Sequence, residues 1–142
     1  MKNNQYFTTD KTKMNVGKIH RYICDLSYWG RGRTIEEVER TIEHSLCFGL
    51  FEGATNEQIA FARVVTDHSF FGYIMDVIVF EEHQGKGYGK QLMTHMMEHE
   101  SINRLKTLAL KTKDAQKLYG KFGFKPIGGS ELWMANDKVI LL

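Results

Sequence analysis

Val77 to Met97 reads V-I-V-F-E-E-H-Q-G-K-G-Y-G-K-Q-L-M-T-H-M-M, and this stretch decides the fold. It opens with a short apolar, β-branched run and closes on an amphipathic pattern, with Leu92, Met93, Met96 and Met97 recurring at helical spacing. Between them lies Gln84-Gly85-Lys86-Gly87-Tyr88-Gly89-Lys90, rich in glycine and lysine. A strand, a glycine-rich turn and a helix start together form an arrangement that binds phosphate. Glycine lets the backbone approach a ligand without a Cβ in the way. The first helical turn offers unpaired N–H groups and the positive end of the helix dipole. Lys86 and Lys90 add mobile positive charge beside it. The segment therefore predicts a pyrophosphate cradle, against the plainer reading of a flexible turn.

Two nucleotide motifs fail here. Gly89-Lys90 is followed by Gln91, and no glycine stands five positions before Gly89, so the Walker pattern is not met. Gly85 and Gly87 are followed three residues later by Lys90, which breaks the dinucleotide fingerprint. Q/R-x-x-G-x-G/A does fit, met by Gln84, Gly87 and Gly89. On these residues the chain resembles the GNAT superfamily of acyl-CoA-dependent N-acetyltransferases. A second stretch extends the resemblance: Ala115-Gln116-Lys117-Leu118-Tyr119-Gly120-Lys121-Phe122-Gly123-Phe124 looks like that family's A-x-x-L-Y-x-x-x-G-F segment. Residues before about 70 carry no comparably specific signature.

Composition sets the outer bounds. A chain of 142 residues suits one domain, expected to span 1–142, with room for a substantial core. Hydrophobic residues at 42% and charged ones at 25% describe an ordinary globular chain. A formal charge of +2, with lysines spread along the sequence, gives no argument for a nucleic-acid partner. Cys24 and Cys47 are isolated and lack metal-ligand spacing, which favours free thiols. The N-terminus lacks the apolar core of a signal peptide and no apolar run is long enough to span a bilayer, so a cytosolic protein without a membrane partner is expected.

Periodicity lays out the remaining elements. Tyr6 to Thr9 predicts a first strand, and Val16, Ile19, Ile23 and Leu26 one face of a helix. Ser27 to Arg33 breaks the pattern as a loop. Thr34-Ile35-Glu36-Glu37 is a capping box that opens a second helix, with Ile35, Val38 and Ile42 on its apolar face. Leu46 to Phe51 and Gln58 to Thr66 predict a hairpin, and Tyr73 to Phe80 the strand leading into the glycine loop. Thr107 to Lys111 predicts a strand parallel to it. A last helix has Ala115, Leu118 and Phe122 as its core face, and Glu131 to Ala135 predicts a closing strand. The expected fold is a GNAT-like α/β domain, a mixed and mostly antiparallel sheet with helices on both faces and a parallel strand pair at the CoA cleft.

The resemblance implies acetyl transfer from acetyl-CoA, as cosubstrate, to a primary amine on a small molecule or a protein. It implies that Gln84, Gly85, Lys86, Gly87, Tyr88, Gly89 and Lys90 hold the pyrophosphate. It also implies that backbone groups around Ile78 and Val79 meet the pantetheine arm. Many members carry asparagine where this chain has Thr112, so the cofactor contact there is weaker or made otherwise. Tyr119 matches the tyrosine often assigned to protonate the leaving thiolate. Asp76 is the one ionisable residue in an apolar strand, either handling the amine's proton or charge, or bracing a turn. Tyr28, Trp29 and Arg31 lie where the family shapes its acceptor pocket; with Arg33 they would favour an amine that carries an anion, or else pack and be solvated. His95 and His99 share a helix face but lack further ligands, so a solvated face and no metal are expected. A CoA-binding module without transferase activity remains the second reading, and a homodimer stays open.

Overall fold

The computed structural model describes residues 4–129 and 131–138. The chain forms two compact units, Met1–Lys111 and Thr112–Leu142.

The first unit is built on a five-stranded sheet in the order β1-β2-β3-β4-β5: Gln5–Thr8, Leu46–Glu52, Gln58–Thr66, Phe71–Val79 and Thr107–Ala109. Neighbours are antiparallel except β4 and β5, which pair in parallel. The hairpin expected at 46–66 is present, and the parallel pair lies where the strand, helix, strand order placed it. Alternation along the strands sends side chains to opposite faces. Cys47, Phe51, Phe61 and Ile78 join Ile19 and Ile23 and the Val38–Ile42 stripe on one face, beneath the helices α1 (Val16–Arg21) and α2 (Ile35–Glu43). On the other face Phe7 and Phe48 meet His95 and His99, from α3 (Tyr88–Glu98) and its C-cap. Helices therefore cover both faces.

Local chemistry explains the element ends. Thr34 Oγ1 accepts the Glu37 N–H at 3.1 Å while Glu37 Oε1 accepts the Thr34 N–H at 2.8 Å, closing the predicted capping box. The bond from the Thr34 backbone is the main reason the Glu37 carboxyl is held below its ordinary value. After Arg21 the first helix widens into a π-type turn, Tyr22–Leu26. Ile19 and Ile23 are buried, but Leu26 is rotated outward and exposed, as is Ile35 at the start of α2. Among the short elements that escaped the periodicity are a 3-10 turn at Glu81–His83 and a one-turn helix α4, Glu100–Asn103. Both are too short for an apolar stripe. His99 caps the second through its ring, with Nδ1 accepting the Ser101 N–H at 3.1 Å. No helix among the described residues is long and apolar enough to cross a membrane.

The second unit corrects two expectations. Its helix α5 is only Gln116–Gly120, and its buried residue is Tyr119, whereas Ala115, Leu118 and Phe122 are half-buried. The Tyr119 ring packs edge-on to Phe124, 6.1 Å between centroids, after the chain turns at Gly123 with φ +92°. No strand forms at 131–135 among the described residues. The apolar run holds Leu132, Trp133 and Met134, but all three are exposed, so no buried face rewards the pairing.

Candidate active site

Strand β4 carries the feature around which the site is built. Its register with β3 pairs Phe61 with Ile78 and then Arg63 with Met75, so β4 has one residue more than β3 over that interval. The extra residue is a β-bulge, and Asp76 within it has φ +55°. A positive φ is uncommon for a residue with a Cβ, and Asp is among the few that tolerate it. Past the bulge the two edges of β4 differ. The Phe80 N–H donates to Ile59 O at 3.0 Å, so Ile78, of the same parity, also turns its backbone groups to β3. Val77 and Val79 therefore turn theirs the other way. On that side β5 pairs only with Phe71–Tyr73, which leaves the edge from Ile74 to Val79 without a strand partner among the described residues, the Val79 carbonyl alone being taken, by Gln84 Nε2. This corrects one expectation: the backbone of Ile78 serves the sheet, and Val77 and Val79 carry the open edge.

The glycine loop follows directly. Gln84 Nε2 donates to Val79 O at 2.9 Å, clipping the loop to the strand end, and approaches the Tyr22 hydroxyl at 3.3 Å. Gly85 and Gly87 have φ +79° and +85°, where only glycine is unstrained, and Gly87 is the N-cap of α3. No side chain caps this helix. Its first backbone bond is Gln91 N–H to Gly87 O, and none of the N–H groups from Gly85 to Lys90 has an acceptor among the described residues. A Cβ built on Gly85 or Gly87 meets nothing within 4 Å, so the loop faces open space. Gly89 lies against Val79, its would-be Cβ 3.7 Å from Cγ2, which suits the glycine-or-alanine position of the motif. Lys86 and Lys90 are exposed beside these donors. Tyr88 faces inward: its hydroxyl accepts from Gln5 Nε2 at 3.0 Å and its ring meets His83, so it anchors α3. This arrangement of donors, cations and space fits a diphosphate.

Of the two readings its charge allowed, Asp76 takes the buried, paired one. Its side chain is 2% exposed, and Oδ2 accepts from Arg63 Nε at 2.6 Å and Arg33 Nη1 at 2.8 Å. Arg63 is saturated, since Nη1 also donates to Ser45 Oγ and Nη2 contacts Met75 Sδ. A carboxylate bound by two guanidiniums braces the bulge and is poorly placed to take a proton from an amine. Arg63 was the residue that sequence reading missed here, and Arg33, expected beside the acceptor pocket, proves also to be a partner of Asp76. The signal existed: Arg63 is the lone charge in β3 as Asp76 is in β4, and lone opposite charges on adjoining strands find each other.

The loop from Ser27 to Arg33 stands beside this cluster. Ser27 is buried, and its Oγ donates to Ile23 O and accepts the Gly30 N–H. Trp29 packs against the core, with Arg33 5.8 Å from its ring centre. Tyr28 and Arg31 are exposed. In the second unit, Thr112 Oγ1 accepts the Ala115 N–H at 3.0 Å and so shapes the approach to α5.

His95 stacks on Phe7 at 4.2 Å. Glu57, Glu82 and His83 bring ligand atoms within 4.8 Å of one another, but Lys18 already pairs with both carboxylates at 3.4 and 3.1 Å. Glu82 is held down to about 2 by its own backbone N–H first and by Lys18 second. The stabilisation tied to that depressed value is present above the ordinary glutamate range and is lost as pH falls toward 2. Cys24 and Cys47 are both free, and burial raises the Cys47 thiol to about 11.

Comparison with known proteins agrees with this geometry. The acetyltransferase (GNAT) domain family matches residues 43–126, from the end of α2 through the glycine loop to the tyrosine segment. The chain belongs to the GNAT acetyltransferase family. A solved protein assigned to that family from Xanthomonas campestris pv. campestris is 37% identical, with a TM-score of 0.89 over 94% of this chain and 93% of that one. A Gibberella zeae protein named as an acetyltransferase is 26% identical over 132 residues, 80% of this chain and 75% of that protein. The uncharacterised N-acetyltransferase ycf52 of Porphyra purpurea is 27% identical over 122 residues, 83% and 69% of the two chains. The GNAT reading of the two motifs and the mixed sheet with a parallel β4–β5 pair are both borne out.

Proposed function

We propose that this GNAT protein transfers an acetyl group from acetyl-CoA directly to a primary amine, its 142 residues acting as one acetyltransferase domain. The observation that carries the reading is the run of N–H groups from Gly85 to Lys90 that lack an acceptor among the described residues, opening at the N-terminus of α3 beside the exposed Lys86 and Lys90. Those donors take the diphosphate of the cosubstrate. The edge at Val77 and Val79, where Gln84 holds the Val79 carbonyl, then offers the Val77 groups and the Val79 N–H to the amide groups of the pantetheine arm as a strand partner would, and a backbone N–H there polarises the thioester oxygen. The neutral amine attacks the carbonyl carbon, a C–N bond forms and the C–S bond breaks. The amine loses one proton and the departing thiolate gains one. Tyr119, matched residue for residue to the family tyrosine, is the donor to sulfur. Tyr28, Trp29 and Arg31 border the acceptor site.

Gly87→Val tests the cradle. The substitution puts a branched side chain into the space the phosphates approach and strains a left-handed backbone, so CoA affinity in calorimetry falls at least about 100-fold, equivalent to losing two charged hydrogen bonds. Gly87→Asn tolerates the positive φ and keeps the fold, separating occupied space from strain. A folded Gly87→Asn protein that binds CoA as tightly as the wild type removes the cradle from the account.

A further inference from the structure

We infer that the acceptor amine carries an anionic group, carboxylate or phosphate, which docks on Arg33; the inference rests on the acetyl-transfer reading for the meaning of "acceptor" alone. Two guanidiniums, Arg33 and Arg63, share one carboxylate, Asp76, so one positive charge is left over in a mostly buried cluster. The surplus lies on Arg33. Every nitrogen of the Arg63 guanidinium has a partner, whereas Arg33 spends only Nη1, and the rest of its fork has no hydrogen-bond acceptor among the described residues. Its side chain is 18% exposed against 6% for Arg63, so a ligand can reach it. The other carboxylate nearby, Glu37, is committed to the Thr34 N–H; the Arg33 charge is a minor cause of its lowered value, but the two form no ion pair among the described residues.

The surrounding loop holds this guanidinium in place. Gly30 admits no side chain, since a Cβ there would lie 2.3 Å from Ile23 Cγ2 and 3.3 Å from Arg33 Nη2. Its carbonyl accepts the Arg33 N–H at 3.1 Å, and His20 Nε2 meets Arg33 O at 2.9 Å. A solvated arginine needs none of this. A fixed fork with free donors is the form in which arginine recognises planar or tetrahedral oxyanions. Its anchor, Asp76, adjoins the open edge of β4 at Val77, so an anion on Arg33 places the rest of the acceptor beside the proposed thioester. The same charge repels polyamines.

The test uses the full chain and has two arms. In the first, acetate, methyl phosphate and acetamide are titrated while the Arg33 Nε–Hε resonance is followed, assigned by its disappearance in Arg33→Lys. Acetate or methyl phosphate shifts the resonance and acetamide does not, and whichever anion saturates first identifies the group. In the second, thiol release is compared for β-alanine, 2-aminoethyl phosphate and β-alaninamide. An anionic acceptor exceeds the amide by roughly 10- to 150-fold in kcat/KM, the range for a charged hydrogen bond, and the ratio collapses toward one in Arg33→Gln. Unfolding of Arg33→Gln is checked by melting, and Asp76 keeps Arg63 as its partner there. If the wild type acetylates no amine, the transfer reading fails while the titration still decides the anion site. An Arg33 resonance unmoved by both anions, or equal use of the amide, overturns the inference.

Discussion

Tyr119→Phe lowers kcat by about 10²–10⁴-fold while acetyl-CoA binding stays close to that of the wild type. The magnitude is that of general acid catalysis, and the substitution removes a single donor while keeping the ring. A phenol ordinarily stays protonated at neutral pH and so can give its proton to a leaving sulfur. Tyr119 is the buried residue of α5 and packs on Phe124, contacts that phenylalanine retains. Melting of the variant is followed alongside, so that a loss of turnover in a folded protein reads as lost chemistry. Single-turnover kinetics under chemistry-limited conditions make the measurement. Wild-type rates in a folded Tyr119→Phe protein take this residue out of the mechanism.

Asp76→Asn costs about 3–5 kcal/mol of stability, the range for breaking a buried ion pair by removing one partner. For a chain of 142 residues that lowers the melting temperature by about 10 °C or more. Asparagine tolerates φ +55° almost as well as aspartate, so the substitution removes charge without adding backbone strain. Arg63, 6% exposed, is then left without its anion, and the bulge loses the brace that holds Arg33. Turnover falls along with stability. A variant with an unchanged melting temperature and lost turnover would return Asp76 to the proton-transfer step.

The sequence was legible where chemistry is local. The capping box at Thr34 and Glu37, the hairpin at 46–66 and the glycine loop each depend on neighbours a few residues apart, and each is found where the pattern put it. Long-range choices were harder. That Asp76 reaches Arg33 and Arg63 depends on a one-residue bulge, which alternation cannot show because the bulge itself breaks alternation. The same bulge sets which residues turn their backbone outward: Val79 does so as expected, and Val77 takes the place of Ile78. In α5 the apolar spacing pointed to Leu118 and Phe122, yet a five-residue helix has no settled face, and Tyr119 is the residue covered. At 131–135 the apolar run was present without a buried face to receive it.

The central claim is that the Gly85–Lys90 donors and the open edge of β4 serve acetyl transfer rather than CoA binding alone. The most direct measurement incubates the protein with acetyl-CoA carrying a labelled acetyl group and a broad panel of primary amines, and follows the label by mass spectrometry alongside thiol release. The account predicts labelled N-acetyl product on at least one amine, stoichiometric with free CoA. Tight CoA binding with no labelled product from any amine would contradict it and leave a binding module in its place.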